Sequence, residues 1–217
     1  LNNLEIGCNL ISEAAKIGIK NIINLGSSCM YPKDYQKPLK EEYLLKGVLE
    51  PTNEGYAIAK IAAQRLCDYL RIEDNTRNYI TFMPCNLYGK NDHFNIERSH
   101  LIASIIVKIH EAKIKKKKSV TIWGDGTARR EFMYVEDIAN AIWFAVPIIE
   151  KIPNIINIGL GYDYTILEYY KKIADIIGYE GGFDFDLNKP TGMMRKLLDV
   201  RKINSLGWES KFTLDYV

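Results

Sequence analysis

None of the four cysteines, Cys8, Cys29, Cys67 and Cys85, stands in a CxxC pair. The spacing therefore offers neither a disulfide framework nor a zinc cluster, and a reducing, cytoplasmic setting is expected. Only three histidines occur, His93, His100 and His110, and they are too scattered to build a metal site. Long apolar runs are missing as well. The greasiest stretch, IANAIWFAVPII, is short and broken by Pro147, so no membrane span is expected. No signal-peptide pattern is present. Charge of one sign is not in excess: the formal balance of +2 argues against a nucleic-acid-binding arm or an acidic tail. The one basic block, KIKKKK at 113–118, lies between a helical pattern and the strand-like SVTIW and reads as a solvated loop.

What is present is a core. A chain of 217 residues that is 47% hydrophobic can fill one domain, or one and part of a second. Helical periodicity runs over 3–18, 54–72, 99–112, 136–146 and 165–178, with Gly178 placed to end the last. Short buried strands read at NIINLG (21–26), YITFMP (79–84), SVTIW (119–123) and NIINIG (154–159), with REFMYV (130–135) extended. Residues 31–52 and 85–97 read as irregular. Strands alternating with amphipathic helices predict an α/β fold: a mostly parallel, doubly wound sheet covered on both faces. Because the chain starts at Leu1, already inside a helical pattern, it is expected to be a piece of something longer.

One helix carries chemistry. In NEGYAIAKIAAQRLC (53–67), Tyr56 and Lys60 sit four apart and share a face. A free phenol, with a pKa near ~10, is a poor acid or base at neutral pH. An ammonium one turn away lowers that pKa and lets the pair shuttle a proton to a carbonyl or alcohol oxygen. Chance makes such pairs common, yet of 14 tyrosines only Tyr56 has lysine at i+4. Its helix also follows a strand that ends in GSSC, and ligands gather beyond the carboxyl ends of parallel strands. Ser27 and Ser28 stand there.

A strand ending in serine followed by YxxxK resembles the short-chain dehydrogenases/reductases. LGSSCMYP, LEPTNEGYAIAK, MPCNLYG, SHLI, WGDGTARREFMYVEDIA and RKLLDV resemble, in order, the motifs of the GDP-L-fucose synthase family. That family epimerises GDP-4-keto-6-deoxy-D-mannose at C3 and C5 and reduces C4 with NADPH. The resemblance implies catalytic roles for Tyr56, Lys60, Ser27, Cys29 and His100, with Cys29 and His100 as the epimerisation pair. A thiol suits a base, and imidazole can supply a proton to the opposite face. It also implies NADP(H) contacts at Ser27, Ser28, Lys60, Pro84, Cys85, Asn86, Leu87 and His100. Substrate contacts fall to Lys108, Trp123, Arg130 and Lys196. Read without the family, Cys29 is a small residue at a strand end, Asn86 a turn residue, and Trp123 as easily a core aromatic as a binding surface.

Two departures bear on specificity. Lys108 stands where some relatives have arginine, keeping the charge but losing the fork. Thr191 replaces an acidic residue, which removes an acceptor for a sugar hydroxyl. The family's opening GxxGxxG is absent, so the resemblance implies that much of the NADP site is missing. Residues 1–90 are expected to be the later part of the NADP-binding Rossmann domain. Residues 91–217 are expected to be mainly a substrate-binding lobe, with segments near 119–160 returning to the first. Alternatives are an enzyme of GDP-6-deoxy-4-keto-heptoses, a nucleotide-sugar dehydratase or 4-epimerase, and a truncated chain without catalysis. A homodimer is expected by analogy.

Overall fold

The computed structural model describes residues 1–35, 37–95, 99–189 and 192–214. Thr191 lies outside them. Helix α1 (Asn2–Lys16) leads into strand β1 (Asn21–Leu25) and a 3-10 turn (Ser28–Met30). The stretch expected to be irregular holds two further 3-10 turns, Glu41–Tyr43 and Pro51–Asn53, before α2 (Glu54–Glu73) and β2 (Asn78–Pro84). Then come β3 (Asn86–Tyr88), α3 (Leu101–Ile114), β4 (Ser119–Trp123), β5 (Arg129–Arg130), β6 (Phe132–Tyr134) and α4 (Val135–Ala145). After a 3-10 segment (Val146–Lys151), the order is β7 (Ile155–Ile158), β8 (Tyr164–Thr165), α5 (Ile166–Ile177), β9 (Gly182–Asp186), β10 (Arg195–Lys196) and α6 (Arg201–Ser205).

Strands β1, β2 and β7 form a parallel sheet in that order, as the continuous apolar runs predict. β2 is central and buried along nearly its whole length, whereas β1 pairs with β2 alone among the described residues. Against this sheet α1 and α2 pack through Ile11, Ala15, Ala63 and Tyr79. A larger core gathers Ile80, Phe82, Met83, Ile138, Ala141, Ile156 and Ile203. The arrangement is the expected Rossmann-like α/β fold.

A separate core holds α3, α5 and the parallel pair β4–β9, filled by Ile105, Ile109, Ile122, Tyr169 and Ile173. The basic block ends α3 as a solvated turn, and Lys113 donates to the last-turn carbonyl of Ile177 in α5. Sequence periodicity did not disclose β3, β8, β9, β10 or α6. Each is short, and β9 (GFDFD) leaves Asp184 and Phe185 exposed. REFMYV is two strands rather than one, interrupted at Glu131.

A buried polar network binds the irregular stretch to the sheet. Tyr31 donates to Asn157 Oδ1 (2.6 Å), Asn157 N donates to Glu41 (3.0 Å), and Asn157 Nδ2 donates to Leu39 O (2.8 Å). Leu39 also bridges to Leu198, which draws the β10 segment alongside the loop after β1.

Candidate active site

The carboxyl ends of β1 and β2 lie side by side, Gly26 N donating to Phe82 O at 2.8 Å. Immediately beyond β1 the Ser27 hydroxyl accepts from Cys29 N (3.2 Å) and caps the 3-10 turn that carries Cys29. Ser28 is buried within that turn. Tyr56 stands in the first turn of α2, 38% exposed and therefore reachable, with the Ser27 hydroxyl near enough to act on its phenol. Lys60, one turn further, donates to Leu25 O (2.8 Å) with its ammonium 5.9 Å from the Tyr56 ring centre.

These contacts correct one expectation. Burial, and then the negative charge Cys29 can carry, raise the Tyr56 phenol above its ordinary value, while the Ser27 hydrogen bond pulls the other way. Lys60 does not lower it, because the ammonium is held by a carbonyl and lies over the ring rather than at the phenolic oxygen. Burial lowers Lys60 itself. Tyr56 is thus a phenol at neutral pH, the form that can give a proton.

Strands β5 and β10 run parallel with Arg129 opposite Arg195 and Arg130 opposite Lys196. Four cations on two adjacent strands repel, and the two-residue period of a strand divides them between faces. On one face the buried Asp163 accepts from Arg129 Nε (2.8 Å) and Arg195 Nε (2.6 Å). On the other face, Lys196 Nζ reaches Cys29 Sγ at 3.1 Å, and Arg130 lines a cavity of about 310 Å³. Burial lowers Arg130 below the usual guanidinium range, with the Glu50 charge acting in the opposite direction.

The cavity is also lined by Asn86, His100, Trp123, Gly126 and Tyr170. His100 is the exposed N-cap of α3. Trp123 is 58% exposed at the end of β4, so its face is open to a ligand, and Lys108 and Lys189 each place an ammonium 5.3 Å from its ring centre. Gly126 has φ +76°, and a Cβ there would lie 3.0 Å from Phe185, so the GDG turn requires glycine at that position.

At the end of β2, Pro84 and Cys85 are buried, and burial pushes the Cys85 thiol well up. Any contact of these two with a cofactor would be through backbone. Asn86 Nδ2 donates to Glu131 O (3.0 Å), and half-buried Leu87 packs against the main core. Glu131, fully buried, accepts from the backbone N–H groups of Leu160 (2.6 Å), Gly161 (2.9 Å) and Leu198 (2.9 Å). It ties β5, the loop after β7 and the end of β10 together.

Cys29, Ser27, Tyr56, Lys60 and Lys196 thus form one cluster, and His100, Asn86, Trp123, Lys108 and Arg130 form another around the cavity. The β5–β10 pair joins them. Sequence reasoning missed Asn53, Lys189, Glu131 and Asp163. The paired basic dipeptides Arg129–Arg130 and Arg195–Lys196 were the one signal that pointed to the last. Among the described residues no group of three or more His, Cys, Asp or Glu side chains could hold a metal. Nor is any helix there long and apolar enough to cross a membrane.

A sequence model of the NAD dependent epimerase/dehydratase family matches residues 1–159. The chain is 50% identical over 215 residues to GDP-L-colitose synthase of Yersinia pseudotuberculosis, covering 99% of this chain and 70% of that enzyme. It is 45% identical over 214 residues to GDP-L-fucose synthase of Azorhizobium caulinodans, covering 99% of this chain and 68% of the relative. Among solved structures, MlghC, the GDP-mannoheptose C4 reductase of Campylobacter jejuni with NADP bound, matches with a TM-score of 0.87 at 33% identity. The match covers 98% of this chain and 72% of MlghC.

Proposed function

The chain belongs to the NAD dependent epimerase/dehydratase family, and from that premise we propose that it serves an NADPH-dependent 3,5-epimerisation and 4-reduction of GDP-4-keto-6-deoxy-D-mannose, giving GDP-L-fucose. The observation that carries this reading is one cluster holding both a proton donor, Tyr56 with Ser27, and a thiol, Cys29, with Lys196 Nζ at 3.1 Å. A plain ketosugar reductase has no use for the second.

A ketone at C4 acidifies the hydrogens on C3 and C5. The Cys29 sulfur takes such a proton, and the C–H electron pair moves toward the C4 oxygen as an enolate. His100 returns a proton to the opposite face. Ser27 then holds the C4 oxygen while Tyr56 gives it a proton. Lys60 uses one of its three donors on Leu25 O and keeps two for the ribose hydroxyls of the cofactor. The residues present suit the nicotinamide-ribose end of NADP(H), with Lys60 and the backbone of 84–87 as its holders. When bound, that cofactor supplies hydride to C4. Trp123 offers a stacking surface to the nucleotide, and Lys108 and Arg130 offer cations to its diphosphate.

Residues 1–90 then form the later part of the cofactor-binding domain, and 91–217 mainly the sugar lobe, with β7 returning to the sheet. Exposed apolar side chains along α1 (Ile6, Leu10) and at its C-cap (Ile17), and along α2 (Ile58, Tyr69, Ile72), suit helix pairing across a two-fold axis in a homodimer. Four free cysteines suit the cytoplasm.

A second reading is favoured by the 50% identity to a colitose synthase. Colitose is a 3,6-dideoxy sugar, so only C5 would be inverted, and Thr191 in place of an acid fits a missing hydroxyl. One experiment separates these readings. The chain is incubated with each 4-ketosugar in D₂O, and deuterium at C3 and C5 is read by NMR for wild type and Cys29→Ser. Wild type is expected to exchange and Cys29→Ser to lose exchange, since a hydroxyl has nearly the thiol's shape but is a far weaker acid. Wild-type incorporation by Cys29→Ser would remove Cys29 from the mechanism.

A further inference from the structure

An asparagine at a helix N-cap ordinarily turns its side-chain oxygen onto the N–H groups of the first turn. Asn53 caps α2 and makes no such bond. Its Nδ2 instead donates to Cys29 Sγ at 3.6 Å, and its buried Oδ1 has no partner among the described residues. A second donor converges on the same sulfur: Lys196 Nζ at 3.1 Å, from 167 residues away in sequence. The N-terminus of α2, a helix of 20 residues, presents the positive end of its dipole on the same side.

A cation, an amide N–H and a helix N-terminus around one half-buried sulfur are surroundings that favour a thiolate. We infer that Asn53 and Lys196 are positioning residues that hold Cys29 as the deprotonated base, and that α2 gives up its side-chain cap to do so. The inference rests on the reading of Cys29 as the epimerisation base. In that step the sulfur lone pair takes the carbon-bound proton, an S–H bond forms, and the C–H pair becomes the C=C of the enolate. Lys196 keeps its own proton throughout.

Thiol alkylation tests this without sugar or cofactor. The purified full chain is labelled with iodoacetamide at neutral pH, and Cys29 is compared with Cys8, also half-buried and free, by peptide mass spectrometry. Lys196→Met is expected to slow labelling of Cys29 about tenfold, and Lys196→Arg to stay within about threefold of wild type. Asn53→Asp keeps the shape and the capping ability but sets a carboxylate against the sulfur; it is expected to slow labelling by about tenfold or more. Cys8 should label at an unchanged rate throughout. Should Lys196→Met lose its circular dichroism, Lys196→Gln is read in its place with the same expectation. In deuterium exchange Asn53→Asp should lower kcat and leave KM. Cys29 rates within about twofold of wild type in both the lysine and asparagine variants would overturn the inference. The outcomes are separable: if Cys29→Ser still exchanges deuterium, the functional reading fails whatever the labelling rates.

Discussion

Replacing Asp163 by asparagine keeps the side chain's shape and removes one negative charge from between two arginines. Asp163 is 3% exposed at its side chain, and Arg129 Nε and Arg195 Nε lie 2.8 and 2.6 Å from its oxygens. Breaking a fully buried ion pair by neutralising one partner costs about 3–5 kcal/mol. Here the two guanidinium groups are 38% and 37% exposed, and water takes up part of the lost interaction. The expected loss is therefore about 2 kcal/mol. For a chain of this size, that corresponds to a fall in Tm of about 4–8 °C. Urea unfolding at low and high salt is the assay, with the wild-type advantage shrinking as salt screens the arginines. Because β5 and β10 also set Arg130 opposite Lys196, the variant should weaken binding of a GDP-sugar as well. A triple variant with Met at 129 and 195 and Leu at 163 should regain much of the stability, since uncharged side chains need no counterion. A loss below about 0.5 kcal/mol in Asp163→Asn would refute the reasoning that this carboxylate holds the two strands together.

Tyr56→Phe keeps the ring packing and removes only the transferable proton. Reduction, followed as NADPH consumption, should fall by at least roughly 10²–10⁴-fold while deuterium exchange continues, and an unchanged rate would make Tyr56 structural. Burial raises the Glu131 carboxyl from 4.5 to about 7 against the pull of three N–H donors. The folded state then keeps a proton that the unfolded state releases, so stability is full below about 4.5 and is lost as pH rises through about 7. The slope in that window is at most about 1.4 kcal/mol per pH unit. Glu131→Gln should flatten it, and urea midpoints for wild type and variant that run parallel from acid to neutral pH would count against it.

The long elements were legible because their burial is periodic. Apolar spacing marks α1, α2, α3, α4 and α5, and uncharged runs mark β1, β2, β4 and β7. Strands of two or three residues have no period to read, and β5, β8 and β10 exist only because their partners lie beside them. The same division holds in the site. Tyr56 and Lys60 are visible as a helical pair and Ser27 and Ser28 follow from the strand end, whereas Cys29 is marked only by the family resemblance. Lys196 meets Cys29 only through the strand pairing of β10 and the Leu39–Leu198 bridge, which spacing along the chain does not encode. Nothing in the sequence marks Asn53. Only its missing capping bond distinguishes it.

The two margins of the central sheet differ in a way that bears on handling the protein. At β7 the outer side is engaged: Asn157 N donates to Glu41 and the Asn157 side-chain amide donates to Leu39 O. At β1 the sequence NIINL has no charge and no proline, and its outer backbone faces no strand among the described residues. Native proteins blunt such margins with lysine, proline or a bulge. The uncharged, proline-free run of β1 is instead suited to take a further extended segment in parallel register.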